Sequence, residues 1–340
     1  LDVTDPTSPA TIGSLATSGL VEGVSVSGNR LYLAIRAGEV VMVDITDPSA
    51  PAILQTIATP GFARDVMVAG EHAYVAQNSS GLQVIRVAEP LPVPVFAGSY
   101  EDAFSASGIA LAEDHVFLSN SEGPFRVIDV SDPFNPTFAG SYGATSDVGP
   151  AAVAGNYAFV PWGTVGLRVF DVSDPSNPTL VGTYNTPFTA NGVAVSGDHA
   201  FVADGNSGLQ VIDISDPTSP TLAGSYNTPG VARGVAISGD HAFVADETSG
   251  LQVIDISDPT SPTLAGTYNT SGVAYRVVVS GDHAFVAGVN AGLQVIDISN
   301  PASPTQIGSY NTPGSAYSVF VAGDRAFVAD GTSGLQVVDI

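Results

Sequence analysis

The sequence predicts an all-β fold, an eight-bladed β-propeller with four antiparallel strands in each 42-residue repeat. Three observations lead there. The nonapeptide Leu209-Gln210-Val211-Ile212-Asp213-Ile214-Ser215-Asp216-Pro217 returns unchanged at Leu251 to Pro259. Its first Asp recurs at Asp2, Asp44, Asp129, Asp171, Asp213, Asp255, Asp297 and Asp339, with Arg86 in one copy, in steps of 42 residues broken once by a step of 43. A period of about 40 to 45 residues belongs to propeller blades or to helical repeats. The 37 Gly and 24 Pro among 340 residues decide for strands, because they cut the chain into short β-branched and aromatic runs.

The copy from 191 to 232 shows each element in turn. The first strand is Gly192 to Ser196, and a Gly197-Asp198 turn leads to a second, His199 to Ala203. A loop from Asp204 to Gly208 precedes the third strand, Leu209 to Ser215, which is apolar on both faces and therefore expected between two stacked sheets. Asp216-Pro217-Thr218-Ser219-Pro220 turns the chain into a fourth strand, Thr221 to Tyr226. The chain ends in a third strand, Gly334 to Ile340, and opens with a fourth near Thr11 to Leu15, so the N-terminal strand is expected to complete the last blade and leave no open edge. One domain then spans 1–340, with blades at about 21–59, 63–100, 106–142, 149–185, 191–227, 233–269, 275–311, and 317–340 plus 1–18. Two units depart from the pattern: the second carries Arg86 and crowds Pro90, Pro92 and Pro94 into its turn, and the third has one extra residue. Because Leu1 falls inside a motif that recurs later, the chain is expected to be a processed or excised portion of a longer precursor.

The repeated residues, Gly-Leu-Gln-Val-Ile-Asp-Ile-Ser-Asp-Pro followed by Pro-Thr-Leu-Ala-Gly-Ser-Tyr, resemble the LVIVD repeat family, most clearly in Leu167-Arg168-Val169-Phe170-Asp171-Val172-Ser173-Asp174-Pro175. The resemblance covers all eight units. It implies a bacterial or archaeal cell-surface propeller, and it supplies no catalytic residue to carry over.

Charge narrows the partners. Nine basic residues, all Arg, against 33 acidic ones give −24, which repels phosphate backbones and argues against nucleic acid. No apolar run reaches the roughly 18 residues of a membrane span, so no membrane insertion is expected and the mean hydropathy of +0.26 reflects a large buried interior. The absence of Cys removes disulfides, thiolate-bound metals and thiol nucleophiles. The sequence contains neither an Asp-x-Asp-x-Asp-Gly calcium loop nor a Gly-x-Ser-x-Gly elbow, and no metal or cofactor is expected. Asp213 and Asp216, repeated around the ring, read as turn-forming residues that accept backbone N–H bonds. His72, His115, His199, His241 and His283 share one column with Arg30, Tyr157 and Arg325, which also reads as structural.

The candidate site comes from comparing copies within the chain. Units 191–232 and 233–274 differ at six positions, four of them in the loops before the first strand or after the second: Asn191/Arg233, Gly205/Glu247, Asn206/Thr248 and Pro229/Ser271. In a four-stranded meander both loops emerge on one face. The column at the start of the first strand reads Glu22, Arg64, Ser107, Gly149, Asn191, Arg233, Tyr275, Tyr317, and the next includes Asp65 and Arg276. The column ending the second strand includes Asn120, Trp162, Asp204, Asp246 and Asp330. From these the expected ligand-binding residues are Arg36, Arg64, Asp65, Asn120, Trp162, Asn191, Asp204, Arg233, Asp246, Tyr275, Arg276, Tyr317 and Asp330. Planar hydrogen-bonding groups beside aromatic rings suit sugars or a peptide segment. Loops also drift simply because little constrains them. The expectation is a non-enzymatic extracellular or cell-surface module that binds a glycan or protein, or one that self-assembles. The alternatives are a polysaccharide hydrolase or lyase with Asp204, Asp246 and Asp330 as acid/base groups, and a structural spacer in a longer surface protein.

Overall fold

A computed structural model describes residues 10–78, 80–87, 95–100, 106–120, 123–132, 134–143, 148–322, 325–330 and 335–339. Among them the strands form eight four-stranded antiparallel sheets. Seven are contiguous meanders, at 21–58, 62–100, 106–142, 152–184, 192–226, 234–268 and 273–310, numbered here as blades 1 to 7. The eighth is composite: Ser318–Ala322, Arg325–Ala329 and Leu335–Asp339 are completed by Ala10–Leu15, whose residues pair from Ala10 opposite Asp339 to Leu15 opposite Leu335. First strands touch the first strands of both neighbours, and the cycle closes where Ser318–Ala322 meets Val21–Ser27.

The expected eight-bladed ring is corrected in its regularity: seven blades are contiguous in the chain, the remaining sheet is the composite that the N-terminal strand was expected to complete, and the innermost strands are of unequal build. Those strands run from three residues in blade 4, Ala152–Ala154, to eight in blades 2 and 7, Phe62–Ala69 and Val273–Ser280. Blade 4 starts late because Pro150 has no N–H to give a ladder. Arg86, standing where other blades have Asp, lies 3.4 Å from Glu71. Residues 1–9 and Pro90, Pro92 and Pro94 lie outside the described residues.

Alternation along the strands splits the core between neighbours. In blade 5, Phe201, Ala203, Leu209 and Val211 pack against Ala242, Val244 and Ile254 of blade 6. Ala200, Val202, Ile212 and Ile214 of the same blade pack against Phe159, Leu167 and Val169 of blade 4. Each fully buried side chain of this size contributes about 1.5–3 kcal/mol, so every blade is held mainly by its two neighbours.

The repeat motif has a steric role at the outer seam. Between the third and fourth strands the register skips one residue, so that Val211 faces Gly224 and Ile212 faces Leu222. A Cβ on Gly224 would stand 2.5 Å from the Pro259 carbonyl oxygen and 2.6 Å from Pro262 Cδ of blade 6. Gly140, Gly182 and Gly266 receive the prolines of the following blade in the same way. The Asp residues of the motif shape the turn itself: Asp213 Oδ1 accepts from Ser215 N (2.9 Å), and Asp216 Oδ1 accepts from Thr218 N (3.0 Å) and Oγ1 (2.6 Å). Those bonds hold both carboxyls below the usual range. His199, His241 and His283 lie beside Phe201, Phe243 and Phe285, with ring centroids 6.3 to 6.4 Å apart.

Candidate functional site: the axial mouth

The column at the start of the first strand forms a belt around the axis. Asn191 Nδ2 donates to the Ala232 carbonyl at 2.9 Å. The Arg233 guanidinium sits 6.0 Å from the Tyr275 ring centroid, and Tyr275 meets Tyr317 edge-on at 5.9 Å. Arg64 Nη1 donates to Glu22 Oε2 at 3.0 Å. A local backbone feature aims three of these side chains. The ladder skips from Val21 to Gly23, from Ala63 to Asp65 and from Ala274 to Arg276, leaving Glu22, Arg64 and Tyr275 as the extra residues of β-bulges. An unpaired bulge residue turns its side chain out of the regular alternation.

The belt opens into a cavity of about 380 Å³ lined by Leu20, Glu22, Arg36, Arg64, Asp65, Pro150, Tyr275, Arg276 and Tyr317. Six of the thirteen expected site residues therefore meet there: Arg36, Arg64, Asp65, Tyr275, Arg276 and Tyr317. Asn191 and Arg233 continue the belt beside it. Arg233 is also paired, its Nη2 lying 2.5 Å from Glu247 Oε1. Glu22 stands in the column but was not singled out by the sequence, and Leu20 and Pro150 carry no chemical signal that could have found them. A larger hollow of about 590 Å³ lies on the opposite, turn-bearing face between blades 1 and 2, lined by Ser27, Gly28, Asn29, Asp44 and Glu71 among others. It gathers turn residues rather than axial ones.

Charges in the axial cavity are unevenly satisfied. Glu22 is shared by Arg64 (3.0 Å) and Arg36 (3.4 Å). Asp65 Oδ1 accepts from Val66 N (2.9 Å) and Oδ2 from Ile109 N (3.2 Å), which ties the first strand of blade 2 to that of blade 3. Burial pushes its carboxyl up to about 6, against the opposing pull of the Ile109 N–H and of the Arg276 charge. Gly23 permits this approach, since a Cβ there would stand 2.8 Å from Asp65 Cα. Arg276 is exposed and, among the described residues, makes no hydrogen bond or ion pair. Three guanidiniums thus face two carboxylates, a local surplus of one positive charge in a protein of net charge −24.

Five expected site residues are not in the mouth. Asp204, Asp246 and Asp330 are fully buried, and each clamps the loop that enters its own blade. Asp246 Oδ1 accepts from Thr228 Oγ1 (2.6 Å) and Oδ2 from Gly230 N (2.8 Å). Asp330 takes the same two partners from Thr312 and Gly314, and Asp204 Oδ2 accepts from Phe188 N at 2.9 Å. Burial pushes all three carboxyls up. Asn120 is sealed in the same position, its Nδ2 donating to the Pro124 carbonyl at 2.5 Å. Trp162 is packed into the core, 5.9 Å from the Phe170 ring and against Gly143, where a Cβ would stand 2.7 Å from the indole. Among the described residues no group of three or more His, Asp or Glu is placed to hold a metal ion, and no helix is long and apolar enough to cross a membrane.

Models of the LVIVD repeat match residues 18–59, 60–102, 105–145, 143–186, 189–228, 229–270, 271–312 and 313–340. The chain belongs to the LVIVD repeat family. No curated protein matches its sequence. Among solved structures, this LVIVD-repeat chain is similar to the computationally designed Ika8 protein (10% identity, TM-score 0.82, covering 97% of this chain and 99% of that one). It is also similar to BamB from Moraxella catarrhalis (13% identity, TM-score 0.77, 98% of each chain). A third likeness is to Chaetomium thermophilum Sqt1 bound to the N-terminus of ribosomal protein L10 (13% identity, TM-score 0.80, 95% and 97%). At such identities the likeness concerns the fold alone.

Proposed function

We propose that this LVIVD-repeat propeller is a non-enzymatic ligand-binding module of the cell surface or extracellular space, which takes a segment of glycan or protein at its axial mouth. One observation carries the reading. Three of the nine Arg and two Tyr converge on a single cavity, and bulges aim several of them there, although nothing in the fold requires charged residues at those positions. Blades 5 and 6, built from the same repeat, have Gly192 and Gly234 where blades 2 and 7 have Asp65 and Arg276. A propeller that carries a polypeptide segment, as Sqt1 does with the N-terminus of L10, supports the mode of use. Burial of Asp204, Asp246 and Asp330 supports binding over hydrolysis by those groups, because a sealed carboxylate cannot reach a glycosidic oxygen. Glycan and peptide arrays probed with the wild-type chain, Arg64→Ala and Tyr275→Ala test the proposal. The expected result is a restricted set of hits lost in both variants while their melting temperatures stay near wild type. Hits unchanged in both variants, or no hits with the wild-type chain, would overturn it.

A further inference from the structure

We infer that the axial mouth contains a subsite for a carboxylate-bearing sugar unit, a hexuronate, with Arg276 as its charge partner. The inference rests on the proposed use of the mouth and narrows the ligand class. The first support is charge. Glu22 already engages Arg64 and Arg36, and Asp65, although it feels the Arg276 charge, accepts its hydrogen bonds from two backbone N–H groups. Among the described residues, the guanidinium of the cavity with no hydrogen bond or ion pair is therefore that of Arg276. A guanidinium in a confined site selects planar carboxylates through paired N–H···O bonds. The surplus is a single charge, and the surrounding −24 repels polyanions, so the fit is to one weakly charged unit rather than to a phosphate chain.

The second support separates sugars from peptides. An extended peptide gains affinity by pairing with a row of free backbone donors on a sheet edge. Three such donors beside the cavity are taken by side chains: Val66 N and Ile109 N donate to Asp65, and Val68 N donates to Ser25 Oγ at 3.1 Å, so the row on blade 2 is interrupted. Recognition here falls to side chains. Tyr275 is exposed and held edge-on by Tyr317 directly beside Arg276, which offers a ring to the C–H face of a pyranose, while Glu22 and Arg36 offer planar groups to hydroxyls. A volume of about 380 Å³ is at the small end of ligand pockets and suits one or two rings.

Calorimetric titration of the full chain with methyl β-glucuronide, methyl β-galacturonide, methyl β-glucoside and acetate tests the inference. The acidic glycosides should bind at least about tenfold more tightly than the neutral glucoside and than acetate, and Arg276→Ala should erase that preference. Arg168→Ala, on the outer part of blade 4, should keep it, and circular dichroism melts verify that both variants fold. Equal binding of glucuronide and glucoside, with both lost in Tyr275→Ala, would overturn the acidic subsite and leave the mouth as a glycan site. Acetate binding as tightly as the glucuronide would show a general anion site and overturn the sugar class. Failure of every probe to bind overturns the inference, and the array experiment then decides the broader reading separately. Slow cleavage of a bound glucuronide would leave the subsite standing and overturn the non-enzymatic assignment.

Discussion

Replacing Asp246 by Ala should destabilise the ring without touching ligand binding. The side chain is fully buried and accepts one bond from Thr228 Oγ1 at 2.6 Å and one from Gly230 N at 2.8 Å. Alanine leaves two donors without partners in a place where water has little access, at about 1–3 kcal/mol for each. Part of this is offset, because burial already disfavours the ionised carboxylate and the variant no longer carries that penalty. A net loss of about 2–4 kcal/mol follows. Thr228→Val removes one bond of the pair and should cost about 1–2 kcal/mol, and the double variant should fall short of the sum by about 1 kcal/mol, the signature of a shared contact. Urea unfolding followed by far-ultraviolet circular dichroism measures these values, with a constant slope verifying that the same cooperative unit is compared. Loss of less than about 0.5 kcal/mol in Asp246→Ala, or strict additivity with Thr228→Val, would refute the clamp. A variant that kept its stability but lost ligand affinity would put Asp246 back in the site.

The Asp65 carboxyl titrates near 6 in the folded chain against about 3.9 when unfolded, so the native state holds the extra proton between those values. Stability contributed by this group is therefore present at low pH and lost as pH rises from about 4 to about 6, by up to about 3 kcal/mol. Asp65→Asn should flatten that part of the melting-temperature profile relative to wild type, and parallel profiles would show that the group is not shifted. Gly224→Ala forces a Cβ to within 2.6 Å of Pro259 and Pro262 and should cost about 1–3 kcal/mol in thermal unfolding, with an unchanged melting temperature counting against the seam. Deleting Ala10–Leu15 exposes Leu335–Asp339 as an open edge. It should lower the melting temperature and produce oligomers on size-exclusion chromatography, whereas a monomer that melts like wild type would mean that closure contributes little.

The fold was legible because every physical requirement of a blade repeats on a 42-residue step. Val211 and Ile212 face opposite neighbours, so the third strand must be apolar throughout, and Gly224 with Pro262 marks the seam. The axial column was legible for the same reason, since equivalent positions in a ring face one axis, and Arg64, Tyr275 and Tyr317 were found by counting. The strand-end column misled. A polar residue closing a strand reads as exposed, yet Asp246 and Asp330 turn inward to receive an incoming loop. The signal was present in the spacing, because Thr228 and Thr312 each precede their Asp by 18 residues. Where Gly288 replaces the Asp, Thr270 instead donates to the Gly272 carbonyl at 2.7 Å. Trp162 misled differently: a lone indole gives no hint that Gly143 opens a slot for it in the interior. The bulges at Glu22, Arg64 and Tyr275 left no mark, because the skipped pairing depends on how neighbouring strands meet rather than on residue type.

The glycine-against-proline fit recurs where blade 3 meets 4, 4 meets 5, 5 meets 6 and 6 meets 7. Adjoining units thus share one coupling, much as identical connectors let modules be exchanged, and a duplicated 42-residue cassette arrives already compatible with whatever flanks it. Selection on the residue that each cassette presents at the hub is then free of the demands of assembly at the circumference. Arg276 and Gly234, at equivalent positions of adjacent blades that share about two thirds of their sequence, are two outcomes of that freedom.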